Sequence, residues 1–218
     1  FRAGFDVTGV DIRPQPRYPF TFVQGDALEY IREHGHEFEA IHSSPPCQAF
    51  TQMSAKWRGK GGRTDAHQDL LTPTRALLAT FRQPWIIENV QGARNHMQTT
   101  VVLHGGMFEL GVNRPRLFES NVFLTAPQAP KRTPFPIGVY GTKPDGRTTY
   151  RYRNSMKPDG TYGKKSLIRA AKSIEEAREA MGIPWMDWDE IKEAIPPAYT
   201  LYLGTQLIAT LEYRYAAV

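Results

Sequence analysis

Short apolar runs alternate with stretches of helical period along most of the chain. The runs Asp6–Val10, Thr21–Gln24, Phe38–His42, Trp85–Glu88 and Leu117–Phe123 have the length and β-branched content of strands. Between them Ala27–His34 has the period of a helix. Asp26 and Glu29 are spaced as a capping box at its start, and Gly35 stands where it would stop. A second helix is predicted over Thr72–Phe81, with Leu70, Leu71, Leu77, Leu78 and Phe81 as its apolar face. Ser173-Ile-Glu-Glu176 has the form of another capping box, opening a helix that ends at Gly182 and Pro184. Asp189–Ala194 and Tyr199–Leu211 complete the helical stretches. Strands separated by helices predict an α/β sheet with crossover helices.

The texture changes between Thr125 and Lys165, where Pro127, Pro130, Pro134, Pro136, Pro144 and Pro158 join many glycines without a sustained period. This stretch is expected to be an irregular insertion. The expected organisation is a core over 1–124, a small insertion over 125–172, and a return to the core over 173–218. Phe1-Arg-Ala-Gly-Phe5 reads like the end of a helix already under way, so an N-terminal truncation is expected.

At 218 residues the chain can bury a core without disulfides, and its single cysteine excludes both an internal disulfide and a multi-cysteine metal site. No apolar run approaches the roughly 18 residues of a membrane span and no signal peptide opens the chain, so a cytoplasmic protein is expected. The net charge of +5 favours a polyanionic partner. Between Pro127 and Lys165 nine Lys or Arg stand against two Asp, interleaved with Tyr140, Tyr150, Tyr152 and Tyr162. That composition suits phosphate contacts combined with stacking, although a solvated basic loop has the same one.

Cys47 follows a predicted strand in the loop Ser44-Pro-Pro-Cys-Gln48, at the edge where open α/β sheets bind ligands. Free cysteines are often buried fillers. Two prolines before this one stiffen the loop and hold the thiol in one direction, which favours a reactive role. Trp85-Ile-Ile-Glu-Asn-Val90 ends another apolar run on a carboxylate, a candidate for a raised pKa if it faces a cleft rather than open solvent. In Gly111-Val-Asn-Arg-Pro-Arg-Leu-Phe118, two arginines at alternate positions entering a strand share a face.

Taken in order, Pro-Pro-Cys-Gln, Glu-Asn-Val and Arg-x-Arg-x-Phe resemble motifs IV, VI and VIII of the DNA cytosine carbon-5 methyltransferases. The resemblance extends to Leu103-His-Gly-Gly-Met-Phe-Glu-Leu110, and to Met181-Gly-Ile-Pro-Trp and Ile195-Pro-Pro-Ala-Tyr-Thr, which look like small phage-type members. It implies a class I, Rossmann-like methyltransferase fold whose first strand is missing. It also implies methyl transfer from S-adenosylmethionine, without a metal, to cytosine in double-stranded DNA by a monomer. Cys47 would attack carbon-6 of the flipped base and Glu88 would hold ring nitrogen-3. Asn89 would brace the Cys47 loop, Arg116 would contact the base oxygen, and Arg114 would serve its surroundings. Gly9-Val-Asp11 and Gly25-Asp-Ala27 look like motifs II and III, which implies a cofactor site of Asp11, Ile12, Asp26, Ala27 and Pro46. Asp26 is also a helix cap, and the two roles are compatible. The basic stretch lies where the family carries its target-recognition region, so Gln48, Lys131, Arg132, Arg147, Arg151, Arg153, Lys164 and Lys165 are the expected DNA contacts.

The pattern departs from the family in three places. The Phe-x-Gly-x-Gly loop of motif I is absent, Ile195-Pro-Pro-Ala-Tyr-Thr lacks the Asn of motif X, and Val112 stands where motif VIII often begins with Gln. These departures leave open a domain that binds DNA without turnover; a thymidylate-synthase-type pyrimidine enzyme shares the attack on carbon-6 but is opposed by Glu-Asn-Val and Arg-x-Arg at these spacings, and the resemblance also admits a transfer-RNA substrate.

Overall fold

Two parallel strand pairs organise the first part of the chain in the computed structural model, which describes residues 1–50, 69–98, 100–128, 136–147, 150–156 and 162–216. β1 (Thr8–Asp11) pairs with β2 (Thr21–Gln24), with Thr8 opposite Thr21 and Asp11 opposite Gln24. β3 (Ile41–Ser43) pairs with β4 (Trp85–Val90), with Ile41 opposite Trp85 and Ser43 opposite Ile87. Parallel neighbours need crossover connections: residues 12–20, without a helix, join β1 to β2, and the much longer segment 44–84 joins β3 to β4. α1 (Ala27–His34) follows β2, and α2 (Leu71–Leu78) precedes β4. β5 (Thr100–Leu103) and β6 (Arg116–Ser120) extend the second pair to the order β3-β4-β6-β5. The protein is thus mixed α/β with small sheets, as the alternation of periods predicts.

α1 has the predicted bounds because its ends are chemically marked. Asp26 Oδ1 accepts the N–H groups of Leu28 at 2.8 Å and Glu29 at 3.0 Å. Gly35 ends the helix with an ordinary right-handed backbone, and a Cβ there would lie 2.7 Å from the Phe81 ring, so space rather than a positive φ requires the glycine. In α2, Leu71, Thr74 and Leu78 are buried, one face at the i, i+3, i+7 spacing. β4 is buried along nearly its whole length, as a strand covered on both faces requires.

The insertion is not irregular throughout. β7 (Ile137–Gly138), β8 (Tyr150–Met156) and β9 (Tyr162–Ala170) form a third sheet in the order β7-β9-β8. β8 and β9 are antiparallel, with Tyr150 opposite Arg169 and a register shift between Asn154 and Met156. The proline and glycine density obscured a period-two pattern in Tyr150-Arg-Tyr-Arg153. α3 (Ile174–Met181) starts on Ser173, whose Oγ accepts from the Glu176 N–H at 3.2 Å, and ends on Gly182 at φ +67°. The expected reciprocal bond is redirected: Glu176 takes the Lys172 N–H at 2.6 Å and the Arg169 guanidinium instead. A complete capping box occurs at α4 (Trp188–Ile191), between Asp187 and Glu190. α5 (Pro197–Ala216) is the longest helix among the described residues.

The chain divides into two compact units, one of residues 1–100, 118–124 and 202–218, the other of 101–117 and 125–201. The second unit thus takes in more of the chain than the expected insertion over 125–172. In the first unit Leu71, Leu78, Ile86, Ile87, Phe118 and Leu203 are fully buried. In the second, Val112, Val139, Ala177, Met181, Ile183 and Ile191 form one buried cluster. No helix among the described residues is long and apolar enough to cross a membrane.

Candidate functional site

The carboxyl ends of both parallel pairs carry the residues singled out from sequence. After β3, Pro45 is buried, Pro46 exposed and Cys47 half-buried, and Cys47–Phe50 closes as one 3-10 turn with exposed Gln48 on it. Glu88 and Asn89, near the end of β4, are 6% and 1% exposed, which is unusual for such polar side chains. Asn89 Nδ2 donates to the Pro45 carbonyl at 3.1 Å, and its Oδ1 accepts the Val90 N–H at 2.9 Å. The amide of β4 therefore ties down the chain two residues ahead of the thiol.

His42 lies in the middle of β3 in a crowd of protein atoms, which by desolvation depresses its pKa from 6.5 to about 4. Its side chain nonetheless keeps a face open to water. That open face screens the ring, so the effect of desolvation on stability is smaller than full burial would give.

At the end of β1, Asp11 Oδ1 accepts the Arg13 N–H at 2.8 Å and Oδ2 accepts from Gln15 at 3.2 Å. The Gly25 N–H donates to the Asp11 carbonyl at 3.1 Å, which joins the ends of β1 and β2. Asp26 is exposed, and both of its capping bonds fall on Oδ1. Ala27 opens α1, and Ile12 is 70% exposed beside Asp11. Asp11 thus ends β1 and Asp26 lies two residues past β2, so both carboxylates stand at the carboxyl ends of paired strands, the edge where open α/β sheets bind ligands.

Arg114 and Arg116 belong to the second unit. Arg114 has φ +31° and directs its guanidinium onto three main-chain carbonyls: Ala194 at 2.7 Å, Lys192 at 2.7 Å and Val139 at 3.1 Å. Tyr199, fully buried, donates to the Arg114 carbonyl at 3.1 Å, and burial raises its pKa. Arg114 is thereby a scaffold residue of this unit. Arg116 starts β6 and donates to the Pro115 carbonyl at 3.0 Å.

Of the expected DNA contacts, Lys131 and Arg132 lie outside the described residues. Arg147 is exposed, with Nε 3.7 Å from Asp145 Oδ2. Arg151 and Arg153 are on β8, and Lys164 and Lys165 on β9. A cleft of about 110 Å³ in the second unit is lined by Tyr140, Lys143, Arg147 and Trp188. A wider one of about 690 Å³ lies at the amino ends of β3 and β4, lined by Phe38, Phe81, Leu211 and Arg214. Neither includes Cys47 or Glu88. Among the described residues no group of three His, Cys, Asp or Glu is placed to hold a metal ion.

Sequence reasoning did not single out what stands behind the Cys47 turn, namely Gly92, His96, Arg75 and Glu119. The available signal was a glycine two residues past a strand end, which marks close backbone approach.

The fold and site define a mixed α/β protein with one thiol held at the carboxyl edge of a parallel strand pair. No protein-family model matches the chain, and no curated protein matches it.

Proposed function

We propose that this chain is a class I, Rossmann-like methyltransferase domain that transfers a methyl group from S-adenosylmethionine to carbon-5 of cytosine in duplex DNA. The observation that carries the reading is the bond from Asn89 to Pro45, which joins the Pro-Pro-Cys turn to a strand ending in a buried Glu-Asn pair. The order of Pro-Pro-Cys-Gln, Glu-Asn-Val and Arg-x-Arg-x-Phe along the chain supports it.

Carbon-5 of cytosine is a poor nucleophile, so the site has to make it a better one. The Cys47 thiolate adds to carbon-6, and the electron pair of the 5,6 double bond moves into the ring as Glu88 gives its proton to nitrogen-3. By the resemblance of Arg-x-Arg-x-Phe, Arg116 would hydrogen-bond the base oxygen and stabilise the charge that develops there. Asp11, Ile12, Asp26, Ala27 and Pro46 would hold S-adenosylmethionine, which would supply the electrophilic methyl group to carbon-5 and leave as the neutral thioether. Water then takes the carbon-5 proton, which expels the thiolate and restores the 5,6 double bond, while the proton on nitrogen-3 returns to Glu88. The base must leave the stack to reach Cys47, while the basic residues of the second unit hold the phosphates.

In duplex DNA containing 5-fluorocytosine, fluorine blocks the last elimination. With S-adenosylmethionine present, a covalent protein–DNA adduct is expected for the parent protein and none for Cys47→Ser, which should still bind the duplex. An adduct or methyl transfer in Cys47→Ser would remove Cys47 as nucleophile. Ile195-Pro-Pro-Ala-Tyr-Thr, which lacks the Asn of motif X, favours a second reading, a related domain that binds DNA without turnover. DNA binding by the parent with no adduct would decide for it.

A further inference from the structure

The chain leaving β4 holds the Cys47 turn on both sides of the thiol. Ahead of it, Asn89 bonds the Pro45 carbonyl. Behind it, the 3-10 turn Gln91–His96 lies against Phe50, with the His96 and Phe50 ring centroids 4.9 Å apart. A Cβ on Gly92 would come within 2.0 Å of the Phe50 carbonyl oxygen and 3.1 Å of its carbon. These are main-chain atoms of the Cys47 turn, so they cannot swing aside as the end of a side chain would. Gly92 is needed for space, since its backbone is not among those with positive φ.

The far end of the Gln91–His96 turn is fastened in turn. Arg75 donates to the His96 carbonyl at 2.6 Å, and its Nε and Nη2 form a fork on Glu119 at 2.5 and 2.8 Å. Glu119, buried, also accepts the Gln98 N–H at 2.7 Å. The hydrogen bond to Glu119 stabilises the charged form of the guanidinium. One ion pair thus holds the chain on both sides of Met97.

We propose that Gly92 and the Arg75–Glu119 pair are positioning residues for Cys47, acting through the main chain of Phe50. The proposal rests on the reading of Cys47 as a nucleophile. Attack on carbon-6 requires the sulfur within about 3–3.5 Å of the carbon and in line with its orbital, and a displacement of about 1 Å can cost on the order of 100-fold in rate. A turn clamped on both sides meets that demand without any of the clamping groups touching the substrate.

The chain has one cysteine, so iodoacetamide reads Cys47 alone. Labelling rates across pH on the full chain are compared for the parent, Gly92→Ala and Arg75→Lys, with circular dichroism and thermal melting to establish folding. Folded Gly92→Ala is expected to label at a rate differing from the parent's by about tenfold, and its kcat to fall on the order of 100-fold while KM for DNA moves less than about threefold. Arg75→Lys, which keeps the charge and loses the fork, should show the same split to a smaller degree. A brace that is only structural would lower the melting temperature and leave labelling of the folded protein at the parent's rate; that result overturns the proposal. Should Gly92→Ala not fold, Arg75→Lys decides by the same readouts. If the parent transfers no methyl group, altered labelling still upholds the positioning role while the methyltransferase reading falls. Transfer by the parent with unaltered labelling does the reverse.

Discussion

His42 sits five residues before the thiol, on the strand that delivers it, and its protonation bears on the integrity of that strand. The unfolded chain protonates this ring near pH 6.5, whereas desolvation in the folded protein holds its pKa to about 4. Between those values the unfolded state binds more protons, so the contribution to stability is complete above pH 6.5 and is lost as the pH falls towards 4. The solvent-open face of the side chain keeps the loss below what full burial would give. Urea unfolding at pH 7 and pH 5 checks this. His42→Gln should lose less stability than the parent over that interval, and equal losses would rule His42 out as a contributor. At the same scale, Asn89 shows how a buried polar group is made tolerable. Its amide is satisfied by main-chain partners on both sides, at Pro45 and Val90, so burial costs little and fixes a direction.

Among the elements, the segment entering β6 depends most on distant parts of its own unit. Arg114 binds carbonyls of residues 139, 192 and 194, and Tyr199 on α5 binds the Arg114 carbonyl. A lysine offers one ammonium where the guanidinium offers a planar fork, so Arg114→Lys should cost about 2 kcal/mol of stability, and Tyr199→Phe about 1 kcal/mol. Chemical denaturation measures both, and an unchanged midpoint for Arg114→Lys would deny the clamp. None of this was legible in the sequence, because partners 25 or more residues away leave no local trace. What was legible had local chemical marks. Asp26 and Gly35 bracket α1 with the predicted bounds, Gly182 ends α3, and the apolar Trp85-Ile-Ile87 opens β4 where expected. β5 was missed although Thr100-Val-Val-Leu103 is rich in β-branched residues, since four residues show no period. At the candidate site, Cys47, Glu88 and Asn89 could be read because short motifs carry them. Gly92 and Glu119 could not, since what matters at those positions is which main-chain atoms lie beside them.

For the whole molecule, charge and thiol fall in different units. Nine Lys or Arg and two Asp between Pro127 and Lys165 give that stretch an excess larger than the net +5 of the entire chain, so the remainder is mildly acidic. On the proposed reading, attraction for duplex DNA would therefore originate in the second unit, while Cys47, Glu88 and Asn89 belong to the first. Neutralising phosphates releases counterions, and each contact contributes about −0.9 to the slope of log affinity against log salt for duplex DNA. Replacing Arg151, Arg153, Lys164 and Lys165 on β8 and β9 together by alanine should reduce the magnitude of that slope by about 3 to 4 if each meets one phosphate. Iodoacetamide labelling of Cys47 at the parent's rate in the same variant checks that the first unit has kept its fold. Fluorescence-anisotropy titrations at several salt concentrations measure the slope. An unaltered slope would move the DNA contacts away from β8 and β9.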